Sequence, residues 1–163
     1  MKKILGIIFI VLTLFVMNLF ADDMQTYDLP APYGGKITLK CNAVQLVSQS
    51  NFSGGCTGFY QNFSIIKGFV YNGTVLITYS FIGSQNSLML TFLNGSSFTI
   101  TGQNAKIDVS FPLSVTFEID LNSKKCVNVF SDSGKTDYPY LLLNGQKFKL
   151  TPEILQYLIP PVS

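Results

Sequence analysis

From position 36 onward, apolar and polar residues alternate with a period of two along most of the chain. Ile37, Leu39, Cys41 and Ala43 fall on one side of an extended segment, and Lys36, Thr38, Lys40 and Asn42 on the other. Val75, Ile77, Tyr79 and Phe81 alternate with Thr74, Leu76, Thr78 and Ser80, and Leu88, Leu90, Phe92, Phe98 and Ile100 continue the pattern. It is clearest late in the chain. Ala105, Ile107, Val109 and Phe111 oppose Lys106, Asp108 and Ser110; Leu113, Val115, Phe117, Ile119 and Leu121 oppose Ser114, Thr116, Glu118 and Asp120. Successive side chains in a strand leave opposite faces, so the alternation predicts strands with one packed and one wet face. Strands of that kind suit antiparallel pairing, because parallel sheets are covered on both sides.

The punctuation between these runs agrees. Asn72-Gly73, Asn94-Gly95 and Asn144-Gly145 each separate two strand-like runs. Asn-Gly accepts positive φ at both central positions of a type I′ hairpin turn, so three hairpins are predicted. Gly83–Ser87, Gly102–Asn104 and Asp132-Ser133-Gly134 read as further turns. One short C-terminal helix is expected. Thr151 can cap it, Pro152 fits its first position, Ile154, Leu155, Leu158 and Ile159 give an apolar stripe, and Pro160-Pro161 end it. The fold expected is all-β, an antiparallel sandwich or barrel of about nine or ten strands with Asn-Gly hairpins.

The first residues change the picture of where the chain works. Lys2-Lys3, an apolar run from Ile4 to Met17 and Ala21 before Asp22-Asp23 have the order of a cleaved secretory signal. The run is short of the roughly 20 apolar residues of a spanning helix. Residues 1–21 are therefore read as a signal peptide and 22–163 as a single β domain with an extended N-terminal arm at 22–35. The expected location is secreted or periplasmic, with the membrane touched only through the signal segment if it stays uncleaved. Of the eleven Lys, two leave with the signal, so nine face nine Asp plus Glu, and there is no Arg. A neutral domain without Arg has no electrostatic basis for nucleic-acid binding and no bidentate clamp for phosphate.

Three Cys remain: Cys41, Cys56 and Cys126. An oxidising compartment favours one disulfide. Cys41 with Cys56 closes the shortest loop and is the preferred pair, with Cys41–Cys126 as the alternative; the shorter closure stabilises by about 3 kcal/mol on chain-entropy grounds.

Candidate chemistry is sparse. There is no His, which removes the commonest general base and metal ligand. Three dispersed Cys lack the close ligand pairs of a zinc site, and no cofactor or metal is expected. Glu118 and Asp120 share a strand face with Asp108 as a candidate neighbour, the minimum for carboxylate hydrolysis of a sugar bond; alternation places them on the wet face. Gly134-Lys135-Thr136 lacks the earlier glycine of a phosphate loop. Asn51, Asn62, Asn72 and Asn94 each begin a glycosylation sequon. Two aromatic groups, Phe59 with Tyr60 (near Phe63) and Tyr138 with Tyr140, are the candidate binding aromatics.

These readings lead to a non-enzymatic binding module for a hydrophobic small molecule or lipid. The alternatives are a secreted or cell-surface adhesin-like module that binds a protein partner, and a hydrolase built on carboxylates alone. N-terminal sequencing of the mature protein is expected to start at Asp22; a chain starting at Met1 would refute cleavage.

Overall fold

The computed structural model describes residues 24–153 apart from 49, 124 and 133–137. The expected signal segment at 1–21, positions 133 and 134 of the expected turn at 132–134, and the body of the expected helix from 154 onward lie outside the described residues. Among the described residues twelve strands are present: β1 (Gln25–Pro30), β2 (Lys36–Cys41), β3 (Gln45–Ser48), β4 (Asn51–Phe63), β5 (Val70–Ile82), β6 (Ser87–Phe92), β7 (Ser97–Thr101), β8 (Lys106–Ser110), β9 (Val115–Asp120), β10 (Lys125–Ser131), β11 (Tyr140–Leu143) and β12 (Gln146–Lys149). All pair antiparallel in one sheet that does not close on itself.

The sheet branches. Its two longest strands, β4 and β5, run side by side from Asn51↔Ile82 to Phe63↔Tyr71. The far edge of β5 is shared. Val70–Thr74 pairs with β7, which leads on through β8 and β11 to β12, while Ile77–Ile82 pairs with β6, which leads through β9 to β10. β4 divides likewise, with β2 and then β1 beside Cys56–Gln61 and β3 beside Asn51–Ser53.

At each division the backbone must find partners that no strand supplies. On β5 the orphan is Leu76. Its N–H donates to Ser96 Oγ at 2.9 Å, the Ser96 hydroxyl donates back to its carbonyl at 3.2 Å, and Leu93 N–H donates to the same carbonyl at 2.8 Å. Ser96 is fully buried there. On β4 the division is held by Asn42 N–H donating to Gly55 O at 2.9 Å and by the Cys41–Cys56 disulfide, whose residues stand directly opposite each other.

One face of the branched sheet carries most of the apolar side chains, as the alternation requires. The β7–β8–β11 and β6–β9–β10 arms contribute to one core of Val109, Phe111, Val115, Phe117, Cys126 and Leu150, packed by Phe92, Phe98, Ile100, Val129, Leu141 and Leu143. Phe92 stacks on Phe111 at 5.1 Å and meets Phe117 edge-on at 5.7 Å. A second cluster, of Ile37, Leu39, Cys41, Phe63 and Ile65, lies under β1 and β2, and Tyr60 joins the two by its contact with Phe98.

Several expectations need correction. The strands among the described residues number twelve, not nine or ten, and their one branched sheet does not close into a barrel. Part of the N-terminal arm is the regular strand β1, in register with β2 from Gln25↔Cys41 to Pro30↔Lys36. β4 was hidden by its glycines, which serve neighbours' side chains: a Cβ on Gly54 would lie 2.4 Å from the Tyr79 hydroxyl oxygen, and one on Gly58 2.9 Å from Val75. Only Asn144-Gly145 makes the expected hairpin, at φ 50° and 80°, between β11 and β12. Asn72-Gly73 lies inside β5 beside a bulge in β4, where Asn72 Oδ1 accepts from Asn62 N–H at 2.8 Å. Asn94-Gly95 carries the chain from one arm to the other, since β6 and β7 do not pair.

Ser96→Ala leaves the Leu76 N–H buried without its acceptor. It is expected to cost about 1–3 kcal/mol in a urea unfolding titration; an unchanged midpoint would show that the hydroxyl does not hold the division.

Candidate functional site

The division of β4 opens a groove on the polar face. Side chains one row apart across β4, β5 and β6 share that face: Ser53, Ser80 and Met89 stand in one row, Gly55, Thr78 and Thr91 in the next. These rows form the floor. Between β2 and β3 the chain leaves the ladder, and Asn42, Ala43 and Gln45 form the wall, with Gln45 opposite Ser53. The hollow has a volume of about 390 Å³ and is open to solvent; Gly54 and Tyr79 complete its lining. Gly55 bears no side chain, so the floor exposes backbone at its centre.

Its chemistry is neutral. Asn42, Gln45, Ser53, Thr78, Ser80 and Thr91 bring amides and hydroxyls, and no charged residue is in the lining. Such groups both donate and accept, so they match a ligand that does the same. The second row continues past the groove to Thr116, whose hydroxyl lies 2.8 Å from that of Thr91. The hydroxyl line is therefore partly preorganised by its own bonding.

The carboxylates considered for hydrolysis do not converge on this hollow. Glu118 stands opposite Met89, one strand beyond the floor. Asp120 is bound into the following turn, where hydrogen bonds from the Ser123 hydroxyl and from Asn122 hold its carboxyl below the usual range. Asp108 lies on the other arm, where the Thr99 hydroxyl and Lys106 lower its carboxyl. A general acid near neutral pH requires the opposite shift. Among the described residues no group of three or more His, Cys, Asp or Glu side chains is arranged to hold a metal ion.

The candidate aromatics are placed apart. Phe59 and Tyr60 are consecutive in β4 and leave opposite faces. Phe59 is on the outer face with the Lys40 ammonium 5.6 Å from its ring centre, whereas Tyr60 lies among Phe63, Tyr71 and Phe98 in the interior. Tyr138 and Tyr140 meet edge-on at 6.2 Å, each with a lysine over its ring, Lys149 and Lys147 respectively. Cys41 and Cys56 form the disulfide and Cys126 is a buried free thiol, pushed up by burial. Of the sequon residues, Asn94 is exposed at a turn, while the side-chain oxygens of Asn51 and Asn72 accept backbone hydrogen bonds.

Sequence reasoning missed the groove. Its residues come from four separated segments, and the only local signal was Gly54-Gly55, a pair of glycines inside a strand. Among the described residues no helix is long and apolar enough to cross a membrane. Comparison with protein-family models, with curated protein sequences and with solved structures finds no match.

Tyr60 supplies a pH test of the interior. Burial, and then the neighbouring Tyr71, raise its phenol from 10.0 to about 12. The folded state holds that proton more tightly than the unfolded chain, so this contribution is complete below pH 10 and is lost as pH rises to about 12. A loss of about 3 kcal/mol is expected across that window. Tyr71 and Tyr79 are raised in the same direction, so Tyr60→Phe should remove only the largest part. Equal alkaline profiles for the two proteins, from urea titrations at each pH, would contradict the interior placement.

Proposed function

We propose that this chain is a non-enzymatic binding module working outside the cytoplasm, and that its ligand is a small uncharged polyhydroxylated molecule, of saccharide type, held in the groove walled by Asn42–Gln45. One observation carries this reading: a concave hollow of about 390 Å³ has Asn42, Gln45, Ser53, Thr78, Ser80 and Thr91 in its lining and no charged residue. A ligand with many paired donors and acceptors is recognised by such a surface, while an ion would find no counter-charge in it.

The other expectations have less support. A hydrophobic ligand would need interior space, and Phe92, Phe98, Phe111 and Phe117 already pack against one another there. Carboxylate hydrolysis would need Glu118, Asp120 or Asp108 at the hollow, and none lines it. The export signal at 1–21 supports work outside the cytoplasm, and the Cys41–Cys56 disulfide fits an oxidising compartment.

The test is a titration of isotope-labelled mature protein with neutral gluco-oligosaccharides, followed by backbone amide shifts. Shifts confined to Gln45, Ser53, Gly55, Ser80 and Thr91 are expected. Ser80→Phe, which fills the floor, is expected to weaken binding by at least roughly tenfold while leaving the rest of the amide spectrum in place, a loss of 1.4 kcal/mol or more. No perturbation, or equal binding by Ser80→Phe, would sink the proposal.

A further inference from the structure

Three loops meet at one end of the β1–β2–β4–β5–β7–β8 arm: residues 31–35, 64–69 and 102–105. The first two are tied together by backbone, and the middle one is also closed on itself. Tyr33 N–H donates to Ser64 O at 3.0 Å, Ser64 N–H to Gly34 O at 3.0 Å, and Phe69 N–H to Ile66 O at 3.0 Å. The Phe69 ring lies against Gly102 so closely that a Cβ there would be 3.1 Å from it. The middle loop is anchored from below by Phe63 and Ile65, both buried in the second core cluster.

Above those anchors the same loops turn apolar side chains outward. Tyr33, Ile66 and Phe69 are 43%, 39% and 44% exposed. Ile65 and Ile66 divide the work between them, one held in the core and the other presented to solvent. Lys67, between Ile66 and Phe69, is the sole charged residue of the three loops. At the rim, Lys36 and Lys106 are engaged with Asp28 and Asp108. The result is a held cluster of two rings and an aliphatic chain beside one cation, with no acidic residue in the three loops.

We propose that this tip docks the protein on a lipid surface, with Ile66 and Phe69 entering the interfacial layer, Tyr33 at headgroup level and Lys67 beside the lipid phosphates. Three features point to lipid. The apolar groups stand together on adjoining loops at one end of the sheet, so a single surface can meet them. Tyrosine is favoured at the boundary between water and hydrocarbon. The lone cation matches the phosphate level of any phospholipid, zwitterionic ones included. The domain as a whole is neutral, so the contact is local and apolar and needs no anionic membrane. It is separate from the groove and does not rest on the saccharide reading.

The chain contains no Trp, so a Phe69→Trp substitution creates a single reporter. With phosphatidylcholine vesicles its emission is expected to move to shorter wavelength and to be quenched by lipids brominated high on the acyl chain. Val127→Trp, at an exposed site on the β10 edge, is expected to show neither change. Flotation with the same vesicles should recover the unsubstituted mature chain, and Ile66→Ser combined with Phe69→Ser should lower its partitioning by at least roughly tenfold. An unchanged Phe69→Trp spectrum, equal flotation of the double variant, or binding seen only when phosphatidylserine is added would each overturn the proposal. So would self-association that the double variant abolishes without any vesicle response, which would give the tip to a second copy of the chain.

Discussion

The pairing of Leu76 with the Ser96 hydroxyl is the point on which the architecture turns. β5 is too long for one partner, and its far edge passes from β7 to β6 at Val75–Leu76. A strand can change partners only if the residue at the change keeps its donor and acceptor satisfied, because an orphan amide in the core costs as much as a lost hydrogen bond. Ser96 lies just beyond Asn94-Gly95, so the turn that moves the chain between arms also delivers the group that seals the gap. The two arms can then bend over a common core with Phe92 and Phe117 from one and Phe98 and Val109 from the other.

The same device, repeated less tightly on β4, makes the groove. Where β2 gives way to β3, Asn42 closes one backbone bond to Gly55 and the disulfide fixes Cys41 to Cys56. Residues 42–45 must leave the plane of the ladder to reach the next pairing, and in leaving it they build a wall over the polar rows of β4, β5 and β6. The loop tip arises differently. It is formed where the loops after β1, β4 and β7 meet, held by Phe63 and Ile65 below and by backbone bonds between the first two loops. The groove is thus a by-product of how the sheet satisfies its backbone, and the tip of how its loops are anchored.

Much of the fold was legible in the sequence for a single reason. Wherever one face is buried, a slip of one residue would expose the whole apolar set, so alternation in β2, β5 and β8–β9 reports the inner face directly. Val109, Val115 and Phe117 are inside and Asp108 and Glu118 are on the other face, as alternation required. What stayed hidden depends on partners distant in sequence. Gly54 and Gly58 leave no alternation to read in β4, and only Tyr79 and Val75 show what their space is for. Asn72-Gly73 has the composition of a hairpin turn yet serves a bulge, because the same positive φ at Gly73 suits either. Ser96 looks like any polar residue after a turn; nothing local marks it as buried. The groove needs the register of four segments at once, which no local pattern contains.

The branched ladder itself is most directly examined by cross-strand backbone nuclear Overhauser effects along β5 in the labelled mature protein. The account predicts contacts from Gly73 and Thr74 to Phe98 and Ser97, and from Thr78 and Ser80 to Thr91 and Met89, with the Leu76 amide slow to exchange between them. A single strand contacted along the whole far edge of β5, or a Leu76 amide that exchanges as fast as a loop, would contradict it.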